Sequence, residues 1–275
     1  MLEGIEGVLI DLDGTVYRGS SLIPGAYEAI CHLRKLEKKI VFLSNRGNFS
    51  REMCRDKLNE LGIKVETDEI LLSSTIASRY LKDFYSESKV WTLADQGLRD
   101  ELVNHGINLA ETPQVADFLL ISLHENLLYA DLNNAFKAVQ HGARILATNA
   151  DKMFPSDSGL SIDVAGMIGA IEATTEKKVE KVFGKPSKLM VEAALDRLGV
   201  PAEKCMMIGD SLESDIRMGN THGMRTLLVL TGNTKRADIV SLSDDSSPDI
   251  ILDSLEELIG GRHETFNSRT ERTDE

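Results

Sequence analysis

Asp11 and Asp13 stand one residue apart in the run Asp11-Leu12-Asp13-Gly14-Thr15, directly after the apolar stretch Val8-Leu9-Ile10. If that stretch is a strand of an open α/β sheet, ligands collect beyond its carboxyl end, and both carboxylates fall where substrates bind. Gly14 lets the chain turn sharply there. A second acidic run, Gly209-Asp210-Ser211-Leu212-Glu213-Ser214-Asp215, follows the apolar Cys205-Met206-Met207-Ile208 in the same way. If Ser211 begins a helix, Asp210 lies at the sheet edge and Asp215 about a turn further on, able to brace what Asp210 holds. Hard oxygen donors delivered to one edge by two strands suit Mg²⁺, which takes one or two carboxylates, a carbonyl, waters and phosphate oxygen. Each run taken alone also reads as turn or helix-cap chemistry, because Asp, Ser and Gly are common in turns and at N-caps.

Two weaker pieces extend the pattern. Leu43-Ser44-Asn45 closes the apolar run 40–43, which brings a hydroxyl and backbone N–H groups to the same edge, where they could hold phosphoryl oxygens. Gly184-Lys185-Pro186-Ser187 supplies a cation just before a helix start, and Lys is a natural partner for phosphate. Alone, a single Lys is usually a solvated surface group and Ser-Asn usually a turn.

The elements that must position these residues are legible in the hydropathy pattern. Short runs rich in Val, Ile and Leu alternate with longer amphipathic segments, as in β-α-β units around a parallel sheet. Buried strands are expected at 8–10, 40–43, 70–72, 206–208, 226–230 and 250–252. A second set, at 90–93, 118–121 and 145–147, lies inside the first. Pro24 opens a helical segment in which Ala26, Ile30, Leu33 and Leu36 recur. Another helix starts after Pro186-Ser187, places Met190, Val191, Ala194, Leu195 and Leu198 on one face, and stops at Gly199. From Gly260 onward the only large apolar residue is Phe266, which reads as a flexible tail.

Composition bounds the function classes. The 275 residues suggest about two domains. The 42% hydrophobic and 27% charged residues suit a chain with a buried core and a wet surface. The net charge of −13 gives no broad attraction for nucleic acid. Were a substrate anionic, this charge would give it no long-range steering either, leaving its attraction to local cations such as Lys185. Cys31, Cys54 and Cys205 are scattered and odd in number, against a disulfide framework or a zinc site. The start has no signal-peptide pattern, and no window has the roughly 18 apolar residues of a membrane span. A cytoplasmic protein without membrane or nucleic-acid partners is the expectation. His32, His105, His124, His141, His222 and His263 form no cluster with metal spacing.

In the order D-L-D-G-T-V, S-N, G-K-P-S and G-D-S-L-E-S-D, with a long stretch between the second and third, the chain resembles phosphatases of the haloacid dehalogenase superfamily, in their NagD-like or p-nitrophenyl-phosphatase branch. The resemblance covers about residues 1–258. It implies a Rossmann-like parallel-sheet core, residues 1–75 plus 182–258, an α/β cap inserted at 76–181, and a tail at 259–275. It further implies a Mg²⁺-dependent phosphomonoester hydrolase acting on small phosphorylated metabolites. Asp11 would be the nucleophile that forms an aspartyl phosphate, and Asp13 the general acid and base. Asp11, the Asp13 carbonyl and Asp210 would hold Mg²⁺, with Asp215 behind them. Ser44, a backbone N–H near Asn45, and Lys185 would hold the phosphoryl oxygens. Caps of this branch often mediate dimers, so a homodimer through the cap is a further expectation.

Two departures bear on specificity. Many relatives have T-N-N where this chain has Ser44-Asn45-Arg46, so Arg46 replaces a neutral amide; solvent exposure or structural pairing ranks first for it. In the cap, Thr148-Asn149-Ala150-Asp151-Lys152-Met153-Phe154-Pro155 resembles the loop that reads the leaving group, and it lacks the His near Phe154 found in relatives acting on pyridoxal phosphate. Two alternatives remain beside the phosphatase reading: a dehalogenase-type C–X hydrolase, which needs neither Asp13 nor Mg²⁺, and a non-catalytic phosphate-binding or phospho-acceptor protein. A nucleotide-binding oxidoreductase is disfavoured because no G-x-G-x-x-G follows the first strand.

Overall fold

A computed structural model describes residues 1–156, 159–240, 242–260 and 264–265. The tail expected at 259–275 falls largely outside them. The chain divides into two units, Met1–Phe42 with Ala194–Glu275, and Leu43–Ala193. The boundaries expected at 75/76 and 181/182 both lie within the second unit.

In the first unit the strands Ile250–Leu252, Arg225–Val229, Cys205–Gly209 and Gly7–Asp11 stand side by side in that order, all parallel; beyond Gly7–Asp11 comes the strand Lys39–Ser44, of which residues 39–42 belong to this unit. Every residue of Gly7–Asp11 and Cys205–Gly209 is buried, which is why both read as unbroken apolar runs rather than alternating ones. Their register pairs Gly7 with Cys205 and Ile10 with Ile208. The two strands therefore end level, and the acidic runs that follow them leave from one edge. Glu264–Thr265 pairs antiparallel with Ile250–Leu252.

The helix Ala26–Lys35 buries Ala26, Ala29, Ile30 and Leu33, the spacing of one helical face. His32, Arg34 and Lys35 in its last turn complement the helix dipole. Leu36, expected on the apolar face, is instead the C-cap and is exposed, because the helix ends one residue before it. The helix Lys188–Leu198 begins where Ser187 Oγ accepts the Met190 N–H at 3.3 Å. It buries Met190, Val191, Ala194 and Leu198.

The second unit has its own parallel sheet, ordered Lys181–Val182, Arg144–Ala147, Phe118–Ile121, Lys89–Leu93, Asn108–Leu109. Leu119, Ile121 and Ile145 pack with Ala135, Ala138 and Val139 of the helix Tyr129–Gln140 and with Val164, Met167 and Ile171 of the helix Val164–Thr175. An antiparallel hairpin, Met153–Ser156 with Gly159–Ile162, precedes the latter helix. The unit reaches back to residue 43 for a physical reason. The fully buried Glu101 carboxylate accepts the Arg51 N–H (3.1 Å), Arg51 Nε (3.0 Å) and the Thr75 hydroxyl (2.9 Å), tying three helices together. Among the described residues no helix is long and apolar enough to cross a membrane.

Candidate active site

Asp11 is the last residue of its strand, and Asp210 follows the last residue of the neighbouring one. A tight turn then brings in Asp215. Ser211 Oγ accepts the Ser214 N–H at 3.3 Å, and the Ser211 carbonyl accepts the N–H groups of both Asp215 and Ile216 at 3.0 and 3.1 Å. The resulting wide turn, Leu212–Ile216, is a π-helical one. Here one ligand atom from each of Asp11, Asp210 and Asp215 lies within 4.8 Å of the others. The three residues are 5%, 2% and 0% exposed. Asp215 also accepts the Ser211 N–H at 3.1 Å.

The backbone is shaped to let these acids in. A Cβ on Gly14 or Gly232 would collide with the Asp210 carboxylate, and one on Gly209 would collide with that of Asp215. Asn233 donates its N–H to Asp210 Oδ2 at 2.5 Å, and Thr234 donates its own to the Asp210 carbonyl at 3.1 Å. Thr231 donates its hydroxyl to the Gly14 carbonyl at 2.6 Å, joining the turn after Asp13 to the loop after Arg225–Val229. Three carboxylates in so small a buried volume exceed the charge that one side-chain cation offsets. All three offer hard oxygen donors, the set that a divalent cation such as Mg²⁺ takes, so the residues fit the metal.

Asp13 is placed differently. Its carboxylate accepts the Tyr17 hydroxyl at 3.2 Å, and Tyr17 in turn receives the Gly14 N–H on its carbonyl at 2.8 Å. The Asp13 side chain is half-buried.

Ser44, Asn45 and Lys185 belong to the second unit and are brought together there. The Asn45 carboxamide clamps the Lys185 peptide, with Oδ1 accepting the Lys185 N–H at 2.7 Å and Nδ2 donating to its carbonyl at 3.1 Å. Ser44 is 2% exposed and its Oγ accepts the Arg46 N–H at 3.0 Å; Lys185 is 4% exposed. Arg46 pairs with Glu125 at 2.8 Å and lies 5.1 and 5.0 Å from the ring centres of Phe49 and Phe154. That is structural pairing, with the guanidinium held between two aromatic faces.

Sequence reasoning passed over the run 231–234 and, beside the loop 148–155, Asp163. The run Thr231-Gly232-Asn233-Thr234 supports Asp210; its position after an apolar strand, like that of the acidic runs, was the available signal. In the loop 148–155, Asn149 Nδ2 reaches Asp151 Oδ2 at 3.0 Å and Asp163 Oδ2 at 3.4 Å. Burial, and then the Asp151 charge, push the Asp163 carboxyl up to about 7, against the Val164 N–H, the Asn149 amide and the Arg46 charge, which pull it down.

Comparison with known proteins gives the family. The sequence profile of haloacid dehalogenase-like hydrolases matches residues 8–108, and a HAD-hydrolase-like profile matches residues 182–258. The chain is 55% identical over 252 residues to the sugar-phosphatase AraL of Bacillus subtilis, covering 92% of this chain and 91% of that one. The crystal structure of a 4-nitrophenylphosphatase from Thermotoga maritima superposes with a TM-score of 0.86 at 30% identity, covering 94% of this chain and 97% of that one. A glycerol phosphate phosphatase from Mycobacterium tuberculosis, solved in complex with magnesium, gives 0.84 at 26% identity over 94% of this chain and 77% of the other.

Proposed function

We propose, for a chain that belongs to the haloacid dehalogenase-like hydrolases and is a phosphatase, that it hydrolyses small sugar phosphates with Mg²⁺ through an aspartyl phosphate on Asp11. The observation that carries this reading is the meeting of Asp11, Asp210 and Asp215 at the level ends of two paired strands. The sugar-phosphate class is supported by the Bacillus relative at 55% identity. A phosphatase assignment displaces the C–X hydrolase and the phosphate-sensor readings.

The carboxylates of Asp11 and Asp210 and the Asp13 main-chain carbonyl would hold the metal, with Asp215 supporting them. Bound there, Mg²⁺ would offset negative charge on the phosphoryl group and the acids. Asp11 attacks phosphorus while the P–O bond to the sugar breaks, which divides one hard displacement into two easier ones. Asp13 gives its proton to the departing alkoxide oxygen. The same carboxylate, now ionised, takes a proton from the water that attacks the phosphoryl group, and Asp11 is released with orthophosphate. Ser44, the backbone N–H near Asn45, and Lys185 hold the equatorial oxygens as their charge redistributes.

Release of p-nitrophenol from p-nitrophenyl phosphate, with Mg²⁺ and with Mg²⁺ plus EDTA, tests the metal. A panel of sugar phosphates, nucleoside monophosphates, phosphoglycolate and glycerol phosphate ranked by kcat/KM tests the substrate class. Equal rates with and without EDTA would remove the metal from the mechanism. A nucleotide at the head of the ranking would remove the sugar.

Two further features belong to this reading. None of Cys31, Cys54 and Cys205 is in a disulfide, the state that a reducing cytoplasm would maintain. A homodimer through residues 76–181 is expected, and the sedimentation of the full chain decides it.

A further inference from the structure

Asn45 and Lys185 are joined by a clamp whose direction is also held from a third place in the chain. A carboxamide presents an acceptor on one side and donors on the other, and its two orientations differ by a rotation that exchanges them. The Lys185 peptide offers both an N–H and a carbonyl to Asn45, at 2.7 and 3.1 Å. The Asp151 carboxylate holds the amide in the orientation that the Lys185 peptide also selects. Its Oδ2 lies 2.8 Å from Asn45 Nδ2, and an ionised carboxylate only accepts, so the amide nitrogen must face Asp151 and the oxygen must face the Lys185 N–H.

Asp151 is itself held. Its Oδ2 also accepts from Nδ2 of the buried Asn149, and its carbonyl accepts the Ala165 N–H at 3.0 Å at the start of the helix Val164–Thr175. Asp163, the N-cap of that helix, takes the Val164 N–H on its side chain at 2.7 Å and shares the Asn149 amide. Space is left for the clamp at Gly184, where a Cβ would collide with Asn45 Oδ1.

We propose that Asp151 is a positioning residue, which orients the Asn45 carboxamide so that it fixes the Lys185 peptide and hence the root of the lysine side chain. The part concerning catalysis rests on the proposed function, in which Lys185 holds a phosphoryl oxygen. Asp151 thus belongs to the loop 148–155, yet acts toward the lysine rather than toward the leaving group.

The test uses the full-length chain with Asp151→Ala and Asp151→Asn. An Asn at 151 keeps an oxygen acceptor for Asn45, whereas Ala removes it. Amide hydrogen exchange at Lys185 reads the clamp without reference to activity. Asp151→Ala should lose about tenfold in protection at that amide while Asp151→Asn keeps it, and the strand Phe118–Ile121 should be unaffected in both. With p-nitrophenyl phosphate and Mg²⁺, Asp151→Ala should lower kcat/KM by about tenfold and weaken competitive inhibition by orthophosphate to the same degree, with rescue to within about threefold in Asp151→Asn. Unchanged Lys185 exchange in Asp151→Ala would overturn the clamp. Loss of protection across the whole second unit would assign Asp151 a merely structural role and overturn the proposal as well. If the wild-type chain fails to hydrolyse the ester, the functional reading falls, and the exchange measurement still decides the clamp.

Discussion

The two units bury carboxylates under opposite conditions. In the second, Glu101 is wholly buried and carries its counter-charge with it: Arg51 binds it through a backbone N–H and Nε, Thr75 adds a hydroxyl, and His105 Nδ1 stands 3.7 Å away. In the first, Asp11, Asp210 and Asp215 are nearly as buried, and their oxygens gather within 4.8 Å of one another. A neutralised carboxylate is a girder between helices. Acids gathered so closely present together the hard oxygen donors that a divalent cation takes, and carboxylates buried in such a group point to a function rather than to a girder.

The contrast is broken most sharply by removing one acid from each place. Asp11→Asn removes the proposed nucleophile and should lower kcat by at least about 10⁴-fold with the fold intact, by circular dichroism and by its urea midpoint. Full activity in that variant would refute the nucleophile assignment. Glu101→Ala should do the reverse. It strands Arg51 and Thr75 in the interior and should cost about 3–5 kcal/mol of stability in urea unfolding, while activity per folded molecule stays near wild type. A large drop in activity per folded molecule would mean that Glu101 serves the chemistry.

A finer probe leaves every acid in place. In Gly232→Ala the new Cβ collides with the Asp210 carboxylate, which must shift from its place in the group. The Mg²⁺ concentration for half-maximal activity should rise about 10- to 100-fold, as when groups around metal ligands are disturbed. An unchanged Mg²⁺ requirement would show that Asp210 does not hold the ion.

The same contrast separates what the sequence discloses from what it hides. Gly7–Asp11 and Cys205–Gly209 are read correctly because strands buried on both faces are continuous apolar runs, and the acids that follow take their place from the strand ends. Asp215, expected about a turn after Asp210 and beside it, joins the group, but the form of that turn is not readable: it is a π turn over Leu212–Ile216 rather than a regular helix begun at Ser211. The Glu101 network joins residues 51, 75 and 101, and the Asn45 clamp joins 45, 151 and 185. Such partners leave no periodic trace, because hydrogen bonds between distant side chains follow from the tertiary path rather than from local spacing. Arg46 shows the same limit, since its partners Glu125 and Phe154 lie far along the chain.

Asp163 tests the comparison at its mildest. Its carboxyl stands at about 7 when folded, against an ordinary value of 3.8, chiefly because burial disfavours the charge and then because Asp151 is near. Between those two values the folded chain binds more of this proton than the unfolded chain does, so stability falls as pH rises through the window and levels off above about 7. The slope from this one group is at most about 1.4 kcal/mol per pH unit. In Asp163→Asn the side chain still caps the helix Val164–Thr175, since Asn is as good an N-cap as Asp, and the proton is gone. Subtracting urea-derived stabilities of the variant from those of the wild type at a series of pH values should therefore give a difference that declines from about pH 4 to 7. A flat difference would mean that Asp163 ionises as an ordinary carboxylate, with Asn149 and Arg46 outweighing its burial. It would then resemble Glu101, a buried acid already compensated by its neighbours.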